Sequence, residues 1–168
     1  KGLADVVRQA EKYIGTSPFV FYLGDNVVVG HIKKFVNHFK KERLNCFLGL
    51  ARVEDPTRFG VPVIDKGKIV EVIEKPEVPP SPFAVTGIYI YDKHIFDVVK
   101  HLKPSARGEL EISDAHTRLI KKGLKVGYKE ITGWWKYTGL AEDLLEANQL
   151  LLRDLKKRTI QGSVRKGV

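Results

Sequence analysis

An apolar run, Phe19 to Leu23, stops abruptly at Gly24 and is followed at once by Asp25 and Asn26. An uninterrupted apolar run predicts a strand covered on both faces, as in a parallel sheet. In open α/β sheets ligands sit beyond the carboxyl ends of the strands, so Asp25 is expected to face a ligand. Gly-Asp-Asn is also ordinary turn composition, and the pentapeptide alone leaves both readings open.

The flanking segments fix the architecture around that run. Leu3, Val6, Val7, Ala10, Tyr13 and Ile14 fall at helical spacing and Gly15 offers a stop. A second helix is predicted from about Gly30 to Arg43, with Ile32, Phe35, Val36 and Phe39 inward, and Cys46 to Val53 is another apolar strand. Helix, strand, helix, strand implies a parallel sheet with helical crossovers. Val61 to Ile64 and Ile69 to Ile73 then form a hairpin through Asp65-Lys66-Gly67-Lys68, which delivers Glu74-Lys75-Pro76. A proline-rich connector leads into a strand from Ala84 to Tyr91, interrupted by Gly87. Further on, a short helix is expected over His94 to His101, a helix opening at the Arg107 to Asp114 segment and stopping at Gly123, a strand over Val126 to Ile131, and an amphipathic helix from Leu140 to about Leu155. The stretch Thr159 to Val164 has the rhythm of a first coil of a β-solenoid.

Composition narrows the function classes. The 168 residues are 43% hydrophobic and 29% charged, which is globular rather than disordered. No apolar run approaches the roughly 20 residues that span a bilayer, and the expected location is cytoplasmic. The single cysteine, Cys46, lies in an apolar run and reads as a buried thiol. His31 and His38 read as surface histidines rather than a metal pair, because nothing completes a ligand set. A net charge of +9 fits an anionic partner of any kind; the scattering of the basic residues among acidic ones favours a solvated surface. The chain holds no methionine and begins inside a helix pattern, so the expectation is a fragment.

Seven motifs occur together in order: GLADVV at residues 2 to 7, YLGDN at 22 to 26, RFGV at 58 to 61, EKP at 74 to 76, VTGIYIYD at 85 to 92, RGELEISDA at 107 to 115, and GWW followed by TG at 133 to 139. In this set the chain resembles the sugar-phosphate nucleotidyltransferases, most nearly their glucose-1-phosphate thymidylyltransferase branch. The resemblance implies a Rossmann-like, mixed but mainly parallel sheet of the glycosyltransferase-A-like type. It implies a partial catalytic domain over residues 1–157, with residues 158–168 a linker and first coil of a left-handed β-helix. It implies transfer of a nucleotidyl group from dTTP or UTP to glucose 1-phosphate with Mg²⁺, in a homo-oligomer that engages neither nucleic acid polymers nor membranes. Such an attack of one phosphate on another gathers negative charge, which Mg²⁺ and basic side chains must neutralise.

By the same resemblance, Gly2 approaches the nucleotide base and Asp25 is a metal ligand. Gly60 and Glu74 bind the sugar, Lys75 and Arg107 hold its phosphate, and Val85, Thr86 and Tyr89 wall the sugar; Asp25, Lys75 and Arg107 form the catalytic set. Asp5 and Glu109 are structural candidates only. Two departures stand out. The family's glycine-rich triphosphate cradle would precede Lys1, so the isolated chain is expected to be inactive. The family's second metal-binding aspartate is replaced by Tyr137, whose phenol, with a pKa of about 10, is a poor Mg²⁺ ligand at neutral pH. Tyr137 supports an alternative, a non-catalytic sugar-nucleotide-binding or regulatory subunit. A basic nucleic-acid-binding module is a third reading, supported by net charge alone.

Overall fold

The computed structural model describes residues 1–28 and 32–154. Helix α1 (Leu3–Ile14) precedes strand β1 (Phe19–Tyr22), and a tight turn leads to the short β2 (Asn26–Val28). Helix α2 (Ile32–Glu42) returns the chain to β3 (Cys46–Arg52). Strands β4 (Gly60–Asp65) and β5 (Lys68–Glu74) form the hairpin, followed by the long β6 (Phe83–Tyr91), helices α3 (His94–Val99) and α4 (Ile112–Lys121), β7 (Val126–Glu130), β8 (Trp135–Tyr137) and α5 (Ala141–Asp154). The expected helix start at Gly30, His31, the helix end at Leu155 and the proposed coil over 158–168 lie outside the described residues.

The main sheet has the order β1-β6-β3-β7. Strand β6 is antiparallel to both β1 and β3, whereas β3 and β7 are parallel. Strands β1, β3 and β7 therefore point the same way, as the helix–strand alternation required, with β6 inserted in reverse between β1 and β3. This corrects the expectation of a mainly parallel sheet: the sheet is mixed, and among the described residues only β3 and β7 are parallel neighbours. The reason lies in the connection. Chain leaving β3 makes the hairpin excursion and re-enters the sheet from the end where it left, without a helical crossover, so it can pair only in reverse.

A second correction concerns β1. Its residues alternate, with Phe19 and Phe21 half-buried and Val20 and Tyr22 about 40% and 39% exposed, so it is not covered on both faces. The strands with that character are β3 and β6, where Cys46 to Ala51 and Ala84 to Tyr91 are buried throughout. One face of the sheet packs Leu48, Leu50, Val85 and Tyr91 against α1, α3 and α4. The other packs Phe47, Ile88 and Ile90 under Phe35 and Phe39 of α2, each such side chain contributing about 1.5–3 kcal/mol on burial. Strand β6 runs on through Gly87, but its irregularity falls there as expected: between the Leu48–Tyr89 and Leu50–Val85 pairs, Thr86, Gly87 and Ile88 of β6 stand opposite Gly49 alone on β3. Cys46 is fully buried as expected, and burial pushes its thiol well up. His38 is half-buried and meets Phe47 edge-on, with ring centroids 6.0 Å apart.

The hairpin closes as its sequence dictates: Lys66 and Gly67 take φ of 47° and 73° between paired Asp65 and Lys68, the two left-handed residues of a type I′ turn. Strands β2 and β8 make a separate antiparallel pair that sets Asn26 opposite Tyr137. Helix α5 buries Ala147 but leaves Leu144 57% and Leu145 68% exposed. Among the described residues no helix is long and apolar enough to cross a membrane.

Candidate active site

A cavity of about 630 Å³ opens where β1 ends, between the β2–β8 pair and the β4–β5 hairpin. The end of β1 is tied to β6 by Leu23 N–H donating to the Gly87 carbonyl at 2.8 Å. The chain then turns, and the Asp25 carbonyl accepts both the backbone N–H of Thr138, at 2.7 Å, and its hydroxyl, at 3.0 Å. This clamps the metal-ligand candidate to the chain just past Tyr137.

Asn26, 5% exposed, fixes the Asp25 side chain. Its Oδ1 accepts from Gly87 N–H at 3.1 Å and from the Trp135 indole at 2.7 Å. Two donors on one side define the amide orientation, so Nδ2 must face the other way, and it donates to Asp25 Oδ1 at 2.8 Å.

Glu74 ends β5 on the opposite wall. Ser113, in the first turn of α4, donates its hydroxyl to Glu74 Oε2 at 2.6 Å. Burial raises the Glu74 pKa, the Ser113 hydrogen bond works against that, and the nearby Glu111 carboxylate adds to the rise. Gly60, paired with Glu74 across the hairpin, is what leaves room: a Cβ there would stand 2.7 Å from Ser113 Oγ. Lys75 has the left-handed φ of 44°, and its N–H donates to the Phe59 carbonyl at 2.9 Å. A non-glycine residue in that region immediately before Pro76 is strained, and the hairpin edge holds it there.

The structure brings together Asp25, Gly60, Glu74, Lys75, Val85, Tyr89 and Tyr137 around one cavity. Tyr89 is buried against Phe21, Tyr91 and His116 rings, and burial pushes its phenol pKa up. Three candidates stand apart. Thr86 is fully buried within the irregular stretch of β6 and donates to the Gly49 carbonyl at 3.0 Å, away from the cavity lining. Gly2 is packed on the Leu110 backbone, where a Cβ would overlap, and it is the following Leu3, with Val6, that lines the cavity. Arg107 lies on the far side of Glu74, lining a second cavity of about 670 Å³. Asp5 is buried and paired with Arg8 and Gln9, as a structural residue should be.

Tyr137 packs edge-on against Phe59, with centroids 5.6 Å apart, under the Arg58 guanidinium at 6.0 Å. Its hydroxyl lies so close to Gly139 that a Cβ there would overlap it. Among the described residues no group of three or more His, Cys, Asp or Glu could hold a metal ion. Asp25 by itself fits Mg²⁺ of the kind that takes one carboxylate and completes its shell from substrate phosphates and water.

Reading motifs alone missed the supporting residues. Asn26, Ser113 and Trp135 sit inside the quoted motifs, yet only the pairing of β2 with β8, and of α4 with the hairpin, shows what they touch. Phe59 joins both walls, through its carbonyl to Lys75 and its ring to Trp135 and Tyr137.

A family model described as nucleotidyl transferase matches residues 1–154. The chain is 42% identical over 160 residues to a low-salt glycan biosynthesis nucleotidyltransferase of Haloferax volcanii, covering 94% of this chain and 45% of that protein. It is 42% identical over 165 residues to a glucose-1-phosphate thymidylyltransferase of Streptomyces antibioticus, covering 97% and 46%. A crystal structure from Bacillus anthracis, described as a candidate glucose-1-phosphate thymidylyltransferase with sucrose, superposes with a TM-score of 0.82 at 41% identity, over 94% of this chain and 63% of that one. The chain thus spans a little under half the length of those two curated relatives.

Proposed function

The chain belongs to the nucleotidyl transferase family, and from that premise we propose that its cavity serves transfer of a nucleotidyl group from dTTP or UTP to glucose 1-phosphate. The observation that carries this reading is the convergence of Asp25, from the turn between β1 and β2, and of Glu74 and Lys75, from the end of β5, on one cavity. A phosphate oxygen of the sugar phosphate attacks the α-phosphorus in line. The new P–O bond forms as the bond to the β-phosphate oxygen breaks, and pyrophosphate leaves. Lys75 holds the phosphate as a point charge, with Arg107 as a fork-shaped second donor. Glu74 and Ser113 meet the sugar hydroxyls, while Val85 and Tyr89 supply an apolar wall. Asp25 is the residue that would hold Mg²⁺, which when bound supplies charge neutralisation between the phosphates.

Tyr137 favours a second reading, a sugar-nucleotide-binding or regulatory protein without turnover. One experiment separates the two: incubate the protein with Mg²⁺, glucose 1-phosphate and dTTP or UTP, follow pyrophosphate, and measure glucose 1-phosphate binding by calorimetry. Release of pyrophosphate supports transfer. Binding without release supports the second reading, and neither binding nor release overturns both.

A further inference from the structure

Lys75 and Arg107 do not face the same space. Lys75 lines the 630 Å³ cavity, and Arg107 lines the 670 Å³ one; Glu74 is the residue common to both linings. The Arg107 guanidinium sits among three carboxylates, 3.6 Å from Glu111, 3.8 Å from Glu74 and 3.8 Å from Glu109. All three distances exceed a direct hydrogen bond, and the arginine side chain is 45% exposed. The surroundings are better anchored than the arginine. Glu111, 8% exposed in its side chain, accepts the Ser105 hydroxyl at 2.8 Å. The loop backbone is closed by Ser105 N–H to the Glu109 carbonyl and Gly108 N–H to the Ser105 carbonyl, both at 2.8 Å. A fixed loop, a fixed carboxylate and a loosely paired guanidinium make the side chain the part that can move.

We propose that Glu111, with Glu109, parks Arg107 on the far side of Glu74 in the ligand-free protein, and that a sugar phosphate draws the guanidinium past Glu74 to join Lys75. Glu111 is a positioning residue that opposes binding. The idea deepens the functional reading above and rests on it for the identity of the anion. A phosphate wins the exchange because it accepts two parallel hydrogen bonds from guanidinium at short range, which none of the three carboxylates does here.

The test is a double-mutant cycle read by calorimetry with glucose 1-phosphate: unaltered protein, Glu111→Gln, Arg107→Ala and the double variant. The expected result is that Glu111→Gln tightens binding about two- to fivefold when Arg107 is present, the scale of releasing one partly exposed ion pair, and changes it little when Arg107 is absent. A gain that persists in the Arg107→Ala background would reflect a general field effect and overturn the proposal, as would weaker binding in Glu111→Gln alone. Absence of glucose 1-phosphate binding by the unaltered protein counts against the functional reading instead. The parked state is then judged without ligand, from guanidinium rotation of Arg107 by nitrogen-15 NMR. Faster rotation in Glu111→Gln than in the unaltered protein supports parking; rotation already as fast as that of an exposed arginine such as Arg43 refutes it.

Discussion

The Ser113 hydroxyl donates to Glu74 across the junction of α4 and the hairpin, at 2.6 Å, so a residue from one element governs the protonation of a carboxylate from another. Burial raises the Glu74 pKa in the folded protein. Between its unfolded and folded pKa values the folded state binds more protons, so this group's contribution to stability declines as pH rises and is lowest above the folded pKa. Replacing Glu74 by Gln should therefore raise Tm at pH 7 relative to the unaltered protein, by a margin that shrinks as pH is lowered from the raised folded pKa to the ordinary glutamate pKa. Ser113→Ala, which removes the hydrogen bond favouring the ionised form, should raise the Glu74 pKa further in an NMR titration. A margin that is flat with pH would show that Glu74 is not the titrating group.

Asn26 is expected to matter through two sides of one amide. Asn26→Ala leaves the Trp135 indole N–H and Gly87 N–H without their acceptor and releases Asp25 Oδ1. Each buried donor left unsatisfied costs about 1–3 kcal/mol, so urea denaturation should report a loss in that range or above, and the Mg²⁺ concentration for half-maximal effect should rise. Unchanged stability would mean that water replaces the amide.

At Lys75 the backbone and the side chain separate cleanly. Lys75→Ala and Lys75→Gly should weaken glucose 1-phosphate binding alike, by about 1.5–3 kcal/mol for a charge-assisted contact. Glycine tolerates the left-handed φ of 44°, so the Gly variant should be the more stable of the two by roughly 1 kcal/mol. Equal melting of the two variants would argue that no strain is stored there.

Tyr137→Asp tests the substituted metal position. It removes an edge-on contact to Phe59, worth about 0.5–1.5 kcal/mol, and places a carboxylate on the strand paired with Asn26. The expected outcome is a lower Tm with a lower Mg²⁺ requirement for binding or turnover. A lower Tm with an unchanged metal requirement would assign Tyr137 to the aromatic packing alone.

Much of the chain was legible without coordinates because local rules decide it. The period of α1, the glycine that stops it, the Lys66-Gly67 turn and the buried runs of β3 and β6 are set by side chains within a few residues of one another. The motif order was equally sufficient to name the family, because it needs only sequence spacing. Neighbour identity in the sheet was not available in the same way. An apolar run says that a strand is buried but not which strand lies beside it, so β6 went unrecognised as the reversed neighbour of β1 and β3. The same ignorance let β1 pass for a strand covered on both faces.

The site divides along that line too. Residue types suited to phosphate, sugar and metal could be picked out at Asp25, Glu74, Lys75 and Arg107 because charge and hydrogen-bonding capacity belong to the side chain itself. What each one faces belongs to the packing. Thr86 turns its hydroxyl to Gly49, Gly2 meets Leu110, and Arg107 stands behind Glu74, since these outcomes depend on atoms far along the chain that only the folded structure brings within reach.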